Sequence, residues 1–284
     1  MSEFGLLLQS ARDFDVTIAD TPDKLRAAYQ LRHQVYCTEL GYEPGQESAL
    51  ETDCFDRHAS HALLTRCSTG QVVGTVRIVG PSSDLAAELP MQRLCPPHLF
   101  HLLPMTRTGE ISRFAISKDL RGSDRGDTVP LRLGLMRGIV EMSASMGLTH
   151  WCAVMEHSLL RLLRMSGIHL QSLGPAVEHH GLRQPSWGRI DDVLARMREE
   201  RPAVWEYLTD SGSLWPAAKE PTVGHHEHAI QLAFDLKALN TRTTLPGLGM
   251  PGVARREWPS RWSPLAHHLV PRAEANATLR LARA

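Results

Sequence analysis

The chain has 284 residues and 31.6 kDa, enough to bury one sizeable core with an appendage. Apolar residues make up 42% and charged residues 22%, a globular balance, and a formal net charge of zero implies no polyanion-binding surface, so no nucleic-acid partner is read. Residues 1–10 lack a basic leader and no run of about 18 apolar residues occurs, so neither a signal peptide nor a transmembrane segment is expected; peripheral membrane contact stays open.

Five cysteines (Cys37, Cys54, Cys67, Cys95, Cys152) are odd in number and lack metal-ligand spacing, which suits reduced thiols and places the protein in the cytoplasm. Only four of the basic residues are lysines, a bias that carries little functional weight.

In chain order, residues 14–18 predict a first strand. Thr21-Pro22 then starts a helix, with Thr as N-cap and Pro at the first helical position. Leu25, Tyr29, Arg32 and Tyr36 recur at helical spacing, which puts Arg32 on or beside the apolar stripe. Residues 41–48 read as a loop rich in Gly, Pro and acids. A hairpin follows, with strands over 62–66 and 72–79 and a turn at Ser68-Thr69-Gly70. Arg77 interrupts its apolar second strand. Residues 81–104 form a long connection broken by Pro90, Pro96 and Pro97.

The stretch Gly109-Glu110-Ile111-Ser112-Arg113-Phe114-Ala115-Ile116-Ser117 reads as a strand of alternating pattern. Period two puts Glu110, Ser112, Phe114 and Ile116 on one face and Ile111, Arg113 and Ala115 on the other. An acid and a guanidinium in a core-like strand are costly to bury unless paired or in use. An Arg- and Gly-containing loop over 119–128 follows, then a helix start, a plausible seat for a phosphate-bearing ligand.

That helix runs from Thr128-Val129-Pro130 to about Met146, and Gly134 and Gly138, four apart, would let it approach the sheet closely. Residues 150–155 predict a strand. Ser158 is a candidate cap for a helix over 159–165 that ends at Gly167. Residues 168–173 and 176–179 predict further sheet elements, and 191–200 a surface helix. The alternation implies a mixed central sheet flanked by helices, an α/β (α+β) fold over 1–218. From residue 219 Pro, Arg, Gly and Thr dominate, with a short helix at 230–239, so 219–284 reads as a partly irregular extension.

Four segments carry a resemblance in their order and spacing. These are Leu31-Arg32-His33-Gln34-Val35-Tyr36 with Leu40-Gly41-Tyr42; Glu51-Thr52-Asp53-Cys54-Phe55-Asp56; Gly74-Thr75-Val76-Arg77-Ile78; and Glu110-Ile111-Ser112-Arg113-Phe114. Together they resemble the acyl-homoserine-lactone synthases and related N-acyl amino acid synthases of the GCN5-related N-acetyltransferase (GNAT) fold. Within that group the chain resembles the acyltransferases associated with exosortase and PEP-CTERM sorting systems, and Gly181-Leu182-Arg183-Gln184-Pro185 is similar to that group too. The resemblance covers roughly residues 14–200.

The resemblance implies an N-acyltransferase that moves a fatty acyl group from a thioester to the amine of an amino acid or similar molecule. Arg32, Tyr36 and Tyr42 would close over the amine substrate, and Asp53 and Asp56 would orient its ammonium. Arg77 and Arg113 would pair with these acids or with a substrate carboxylate, beside Ser112. Glu110 would be the general base, acting through water. Phe114, Ala115 and Ile116, with Arg121, Gly122, Arg125 and Gly126, would bind the acyl donor. No cofactor is bound permanently; the co-substrate is an acyl-phosphopantetheine thioester on acyl carrier protein or coenzyme A.

The chain departs from the family pattern at several positions. The synthases carry Trp where this chain has Tyr42, and Trp before the strand's Glu where it has Gly109. Counting from Arg121, Asp124 and Gly126 stand where two small residues are usual. That incomplete pyrophosphate cradle favours acyl carrier protein, which offers a single phosphate, over coenzyme A. A short-chain acyl-CoA-dependent N-acetyltransferase and a non-catalytic acyl-binding module are the competing readings. His58 and His61 follow Asp53 and Asp56, but no His-x-x-x-His helix accompanies them and no metal site is read. His225-His226-Glu227-His228 reads as solvated tail.

Overall fold

The computed structural model describes residues 10–45, 47–82, 88–120 and 128–215. All of them lie in the first of two units, Met1–Phe234. The expected boundary at 219, the extension beyond it and its short helix lie outside the described residues, as does the histidine tract at 225–228.

The alternating segments form β1 (Phe14–Ile18), β2 (Ala59–Arg66), β3 (Val72–Val79) and β4 (Thr108–Ile116). They pair antiparallel in sequence order: a short turn joins β2 to β3, and long connections over 19–58 and 80–107 return the chain between the other two pairs. β5 (His150–Glu156) lies parallel to β4 across the helix α2 (Val129–Ser145), which supplies the crossover that a parallel pair requires. β6 (Gln171–Ser172), β7 (Val177–Glu178) and β8 (Leu182–Arg189) complete an eight-stranded sheet, with order β1-β2-β3-β4-β5-β8-β6 and β7 on β8.

Helix α1 (Pro22–Arg32) starts on Thr21, whose Oγ1 accepts the Lys24 amide, and continues without a break into a π-helical turn, His33–Glu39. This carries Val35 and Tyr36 onward to the sheet. Val35 and Leu31 pack on Ala115 of β4. The opposite face of the sheet is covered by α2 and by α4 (Ile190–Glu200) and α5 (Pro202–Thr209), whose buried side chains share the main core with β2–β5. Here Gly134 and Gly138 allow the close approach expected of them. A Cβ on Gly138 would stand 2.5 Å from Ala62 Cβ, and one on Gly134 2.6 Å from Leu64 Cδ1.

Five corrections follow, three to expectations and two for elements, β8 and α5, that were not expected. Ser158 does not cap α3 (His157–Met165); the N-cap is Glu156, and Ser158 lies inside the first turn. The strand expected over 168–173 shrinks to two residues. β8 was hidden because Pro185 argues against a strand, yet Pro185 pairs with Val154 in full register. Helix α5 follows α4 after Arg201, where the proline at its first position reads as a terminator as easily as a start.

The fifth correction concerns β4. Arg113 has φ +50°, and the pairing jumps from Thr75↔Ala115 to Arg77↔Ser112, so two residues of β4 oppose one of β3. This is a β-bulge, and it flips every side chain beyond it. Phe114 and Ile116 therefore join Ile111 in the core under α2, while Ala115 packs on the α1 side. Arg113 turns to the same side as Ser112.

Candidate active site

Strands β4 and β5 pair only at Thr108↔His150, Gly109↔Trp151 and Glu110↔Cys152. Beyond these rungs they part, and the gap opens into a cavity of about 670 Å³. That volume lies within the range of small-molecule sites. At a polar end Tyr36, Tyr42, Ser112, Arg113 and Arg183 stand together; Met136, Trp151, Leu163, Ile168 and Leu170 line an apolar part, and Arg132, Glu156, Ser158 and Arg161 also face the cavity.

Beside the polar end lies a cluster of guanidinium and carboxylate groups. Arg32, wholly buried, donates from Nε to Glu51 and through its fork to Asp56, at 2.7 and 3.2 Å. Arg77, also buried, donates to Asp53 (2.6 Å), Asp56 (2.8 Å) and Ser112 Oγ (3.0 Å). Arg113 donates to Glu51 (3.0 Å), Asp53 (3.2 Å) and Glu43 (3.3 Å). The short helical turn at 54–58 has a capping box, in which Asp53 accepts the Phe55 amide and Asp56 accepts the Asp53 amide. The two acids thus act both as caps and as partners of the arginines.

Three guanidinium groups therefore meet four carboxylates, leaving one negative charge in surplus. The arginines hold Asp56 well below the usual carboxylate range and lower Glu51 as well, against the opposing effect of burial. His61 lies 3.5 Å from Asp56 and edge-on to Tyr29. Burial and the two nearby arginines push it down to about 4, so it is neutral, and neither ring nitrogen has a hydrogen-bond partner. No group of three or more potential metal ligands occurs among the described residues.

Glu110 occupies a different environment. It stands on the last paired rung, between Val79 of β3 and Cys152 of β5, and Cys152 in turn opposes Trp187 of β8. Met91 and Cys95, from the proline-broken connection, belong to the same buried cluster as this row, and the Met91 amide donates to Glu110 Oε2 at 2.7 Å. Desolvation in this apolar row pushes the Glu110 carboxyl up to about 8, with the Met91 amide and the arginines opposing it. Glu110 does not line the cavity. Ser112, one rung further along the same face and so about 7 Å away, does.

Tyr42 lines the cavity and stacks on His180 of the β7–β8 turn. Their rings stack at 4.6 Å and 10°, Arg183 lies over Tyr42 at 6.0 Å, and Arg113 lies over Tyr36 at 5.4 Å. His180 holds φ +50° in the β7–β8 turn, next to Gly181 at φ +98°.

Residues 31–128 match the acetyltransferase (GNAT) domain family. The chain has a GNAT-like mixed sheet flanked by helices. It is 24% identical over 155 residues to an acyl-homoserine-lactone synthase of Vibrio anguillarum, covering 53% of this chain and 76% of that one. Among solved structures it resembles FeeM, an N-acyl amino acid synthase from uncultured soil microbes, at 15% identity and TM-score 0.49, over 64% of this chain and 93% of FeeM. It also resembles BjaI, a CoA-dependent acyl-homoserine-lactone synthase, at 23% identity and TM-score 0.47, over 66% of this chain and 82% of BjaI.

Of the residues singled out in the sequence, the fold brings together Arg32, Asp53, Asp56, Arg77, Ser112 and Arg113 in one network. Tyr36, Tyr42, Phe114, Ala115 and Ile116 line the cavity. Arg121, Gly122, Arg125 and Gly126 lie outside the described residues. Glu51, which bonds both Arg32 and Arg113, was missed as a site residue, and so were Arg183 and Trp151. A signal for Glu51 was present: three arginines at buried positions demand more than the two carboxylates of Asp53 and Asp56. A Cβ at Gly109 would stand 2.5 Å from Leu148 Cδ1 and 2.9 Å from Ile78 Cγ2, so a side chain there requires its neighbours to repack.

Proposed function

We propose that this chain is an N-acyltransferase that moves a fatty acyl group from a phosphopantetheine thioester to the amine of an amino acid or related small molecule. The observation that carries the proposal is the parting of β4 and β5 into a cavity with an apolar part and a polar end, next to an acid-rich cluster. The domain match and the acyl-homoserine-lactone synthase relative support acyl transfer as the reaction class.

The chemistry is aminolysis. A neutral amine attacks the thioester carbonyl, the C–N bond forms, the C–S bond breaks, and the amine proton leaves as the thiol is released. The negative surplus around Glu43 and Asp53 favours an ammonium at the polar end, and Arg113 or Arg183 is placed to meet a carboxylate. Glu110 is the proposed base. Its elevated affinity for a proton suits it to accept one from an amine, and its distance of about one strand rung from the cavity calls for an intervening water. The donor is acyl carrier protein in preference to coenzyme A, on the incomplete phosphate signature of the 121–126 loop.

The test is incubation of purified protein with long-chain acyl carrier protein, long-chain acyl-CoA or acetyl-CoA and mixed amino acids, following thiol release and products by mass spectrometry. N-acyl amino acids from long-chain donors are expected. Their formation should rise as pH passes about 8 and drop roughly 100-fold in Glu110→Gln, with the pH rise flattened. Preference for acetyl-CoA would favour a short-chain acetyltransferase. Acyl binding without thiol release would favour a binding module.

A further inference from the structure

We propose that Trp151 is the stop that sets how much of an acyl chain the cavity admits, and that Ser143 is the positioning residue that holds it. The proposal rests on the acyl-transfer reading of this cavity and concerns its specificity.

The cavity is wedge-shaped by construction, because β4 and β5 are joined at three rungs and diverge beyond them. Of the six residues on those rungs, Trp151 is the one that lines the cavity, so its indole stands at the apex. Arg132, Met136 and Ser143 lie along one face of α2, and the first two line the cavity. From Arg132 to Ser143 the helix advances roughly 16 Å. At the far end of that path Trp151 Nε1 donates to Ser143 Oγ at 2.7 Å, and the Ser143 hydroxyl donates to the Ile139 carbonyl at 2.6 Å.

This arrangement fixes the end wall and leaves the side walls adaptable. Trp151 is 3% exposed, so turning its indole away would strand a buried N–H. Trp187, across the sheet, has a buried Nε1 without a partner, so a bonded indole is not a general feature of this core. The side walls include Met136 and Met155, whose unbranched side chains repack readily around a chain of variable shape. A chain that reaches the apex meets a hydrogen-bonded ring, and Leu148 fills the space beside Gly109, the partner of Trp151 on the same rung.

The test compares wild type with Trp151→Phe, Trp151→Leu and Ser143→Ala. Two readouts are taken: the kcat/KM profile over saturated acyl donors of increasing length, and binding of the matching free fatty acids by calorimetry. Thermal melts identify the variants that fold; Trp151→Phe, the smallest truncation, guards against loss of the Leu variant. Wild type should show a sharp upper limit. The Trp151 variants should extend it by about two carbons or more, with at least ~10-fold higher kcat/KM for the first chain beyond the wild-type limit. Ser143→Ala should blur the limit without moving the optimum. A folded Trp151 variant with an unchanged profile overturns the proposal while leaving acyl transfer intact. A shifted binding limit without turnover in any protein supports the stop and counts against transfer. No binding and no turnover overturns both.

Discussion

The two faces of β4 are built on opposite principles. On the α1 side, Arg32, Arg77 and Arg113 are locked to Glu51, Asp53 and Asp56 in bonds that fix each group's position. On the α2 side, Ile111, Phe114 and Ile116 face methionines, leucines and a cavity, with no polar partner to hold them. A single bulge separates the two regimes. Without the left-handed turn at Arg113, strict alternation would send its guanidinium under α2, among groups that cannot pair with it. The comparison teaches that the bulge sorts charge: it brings Arg113 to the side of Arg32 and Arg77 and leaves the other side to apolar residues.

The sharpest way to break the charged side is Arg32→Ala. It leaves Glu51 without one partner and Asp56 without its fork, both in a buried setting. A loss of about 3–5 kcal/mol is expected in urea unfolding, and Arg32→Lys should not restore it, because an ammonium cannot span both acids. A loss under about 1 kcal/mol would mean the cluster is solvated in a way its burial does not allow.

Much of this was legible in the sequence, and the exceptions have physical causes. Period-two patterning located β1, β3 and β4, and Thr21-Pro22 located α1. The bulge was invisible, since Arg113 is not glycine and nothing local announces a positive φ; the cost of burying its charge was the available clue. β8 was concealed by Pro185, and residues 168–173 lost strand character because β8 pairs with only two of them. Among site residues, the charged ones were easiest to find, because a charge in an apolar pattern is anomalous. Trp151 was not, because a tryptophan in a strand is ordinary and its role depends on where β5 leaves β4.

A second break comes from pH. Glu110 lies in the apolar row beside the charged cluster, and its folded-state pKa is raised from 4.5 to about 8. Between those values the unfolded chain has lost the proton that the folded chain keeps, so this group's contribution to stability falls as pH rises. His61 acts in the reverse direction: lowered from 6.5 to about 4, it costs stability as pH falls through that range. Glu110→Gln removes the first effect alone. Its melting temperature relative to wild type should climb from about pH 5 to about pH 8, whatever happens to activity. A constant difference across that range would place Glu110 in contact with bulk water.

The smallest expected effect sharpens the apolar side, and it lies in the contrast between two glycines of one helix. Alanine at either position gains about 1 kcal/mol of helix propensity. At Gly134 the obstructing atom is Leu64 Cδ1, the far end of a side chain that can turn aside, so Gly134→Ala should be close to neutral. At Gly138 it is Ala62 Cβ, which cannot move without its strand, and Val16 Cγ1 stands 3.2 Å away as well. Gly138→Ala must therefore lift α2 off β2, and a net loss of about 1–3 kcal/mol is expected. Because α2 also carries Met136 and Ser143, the same displacement should loosen the Trp151 anchor and broaden the chain-length limit. Equal stabilities for the two variants would show that the helix floats on the sheet, and that its spacing does not set the depth of the cavity.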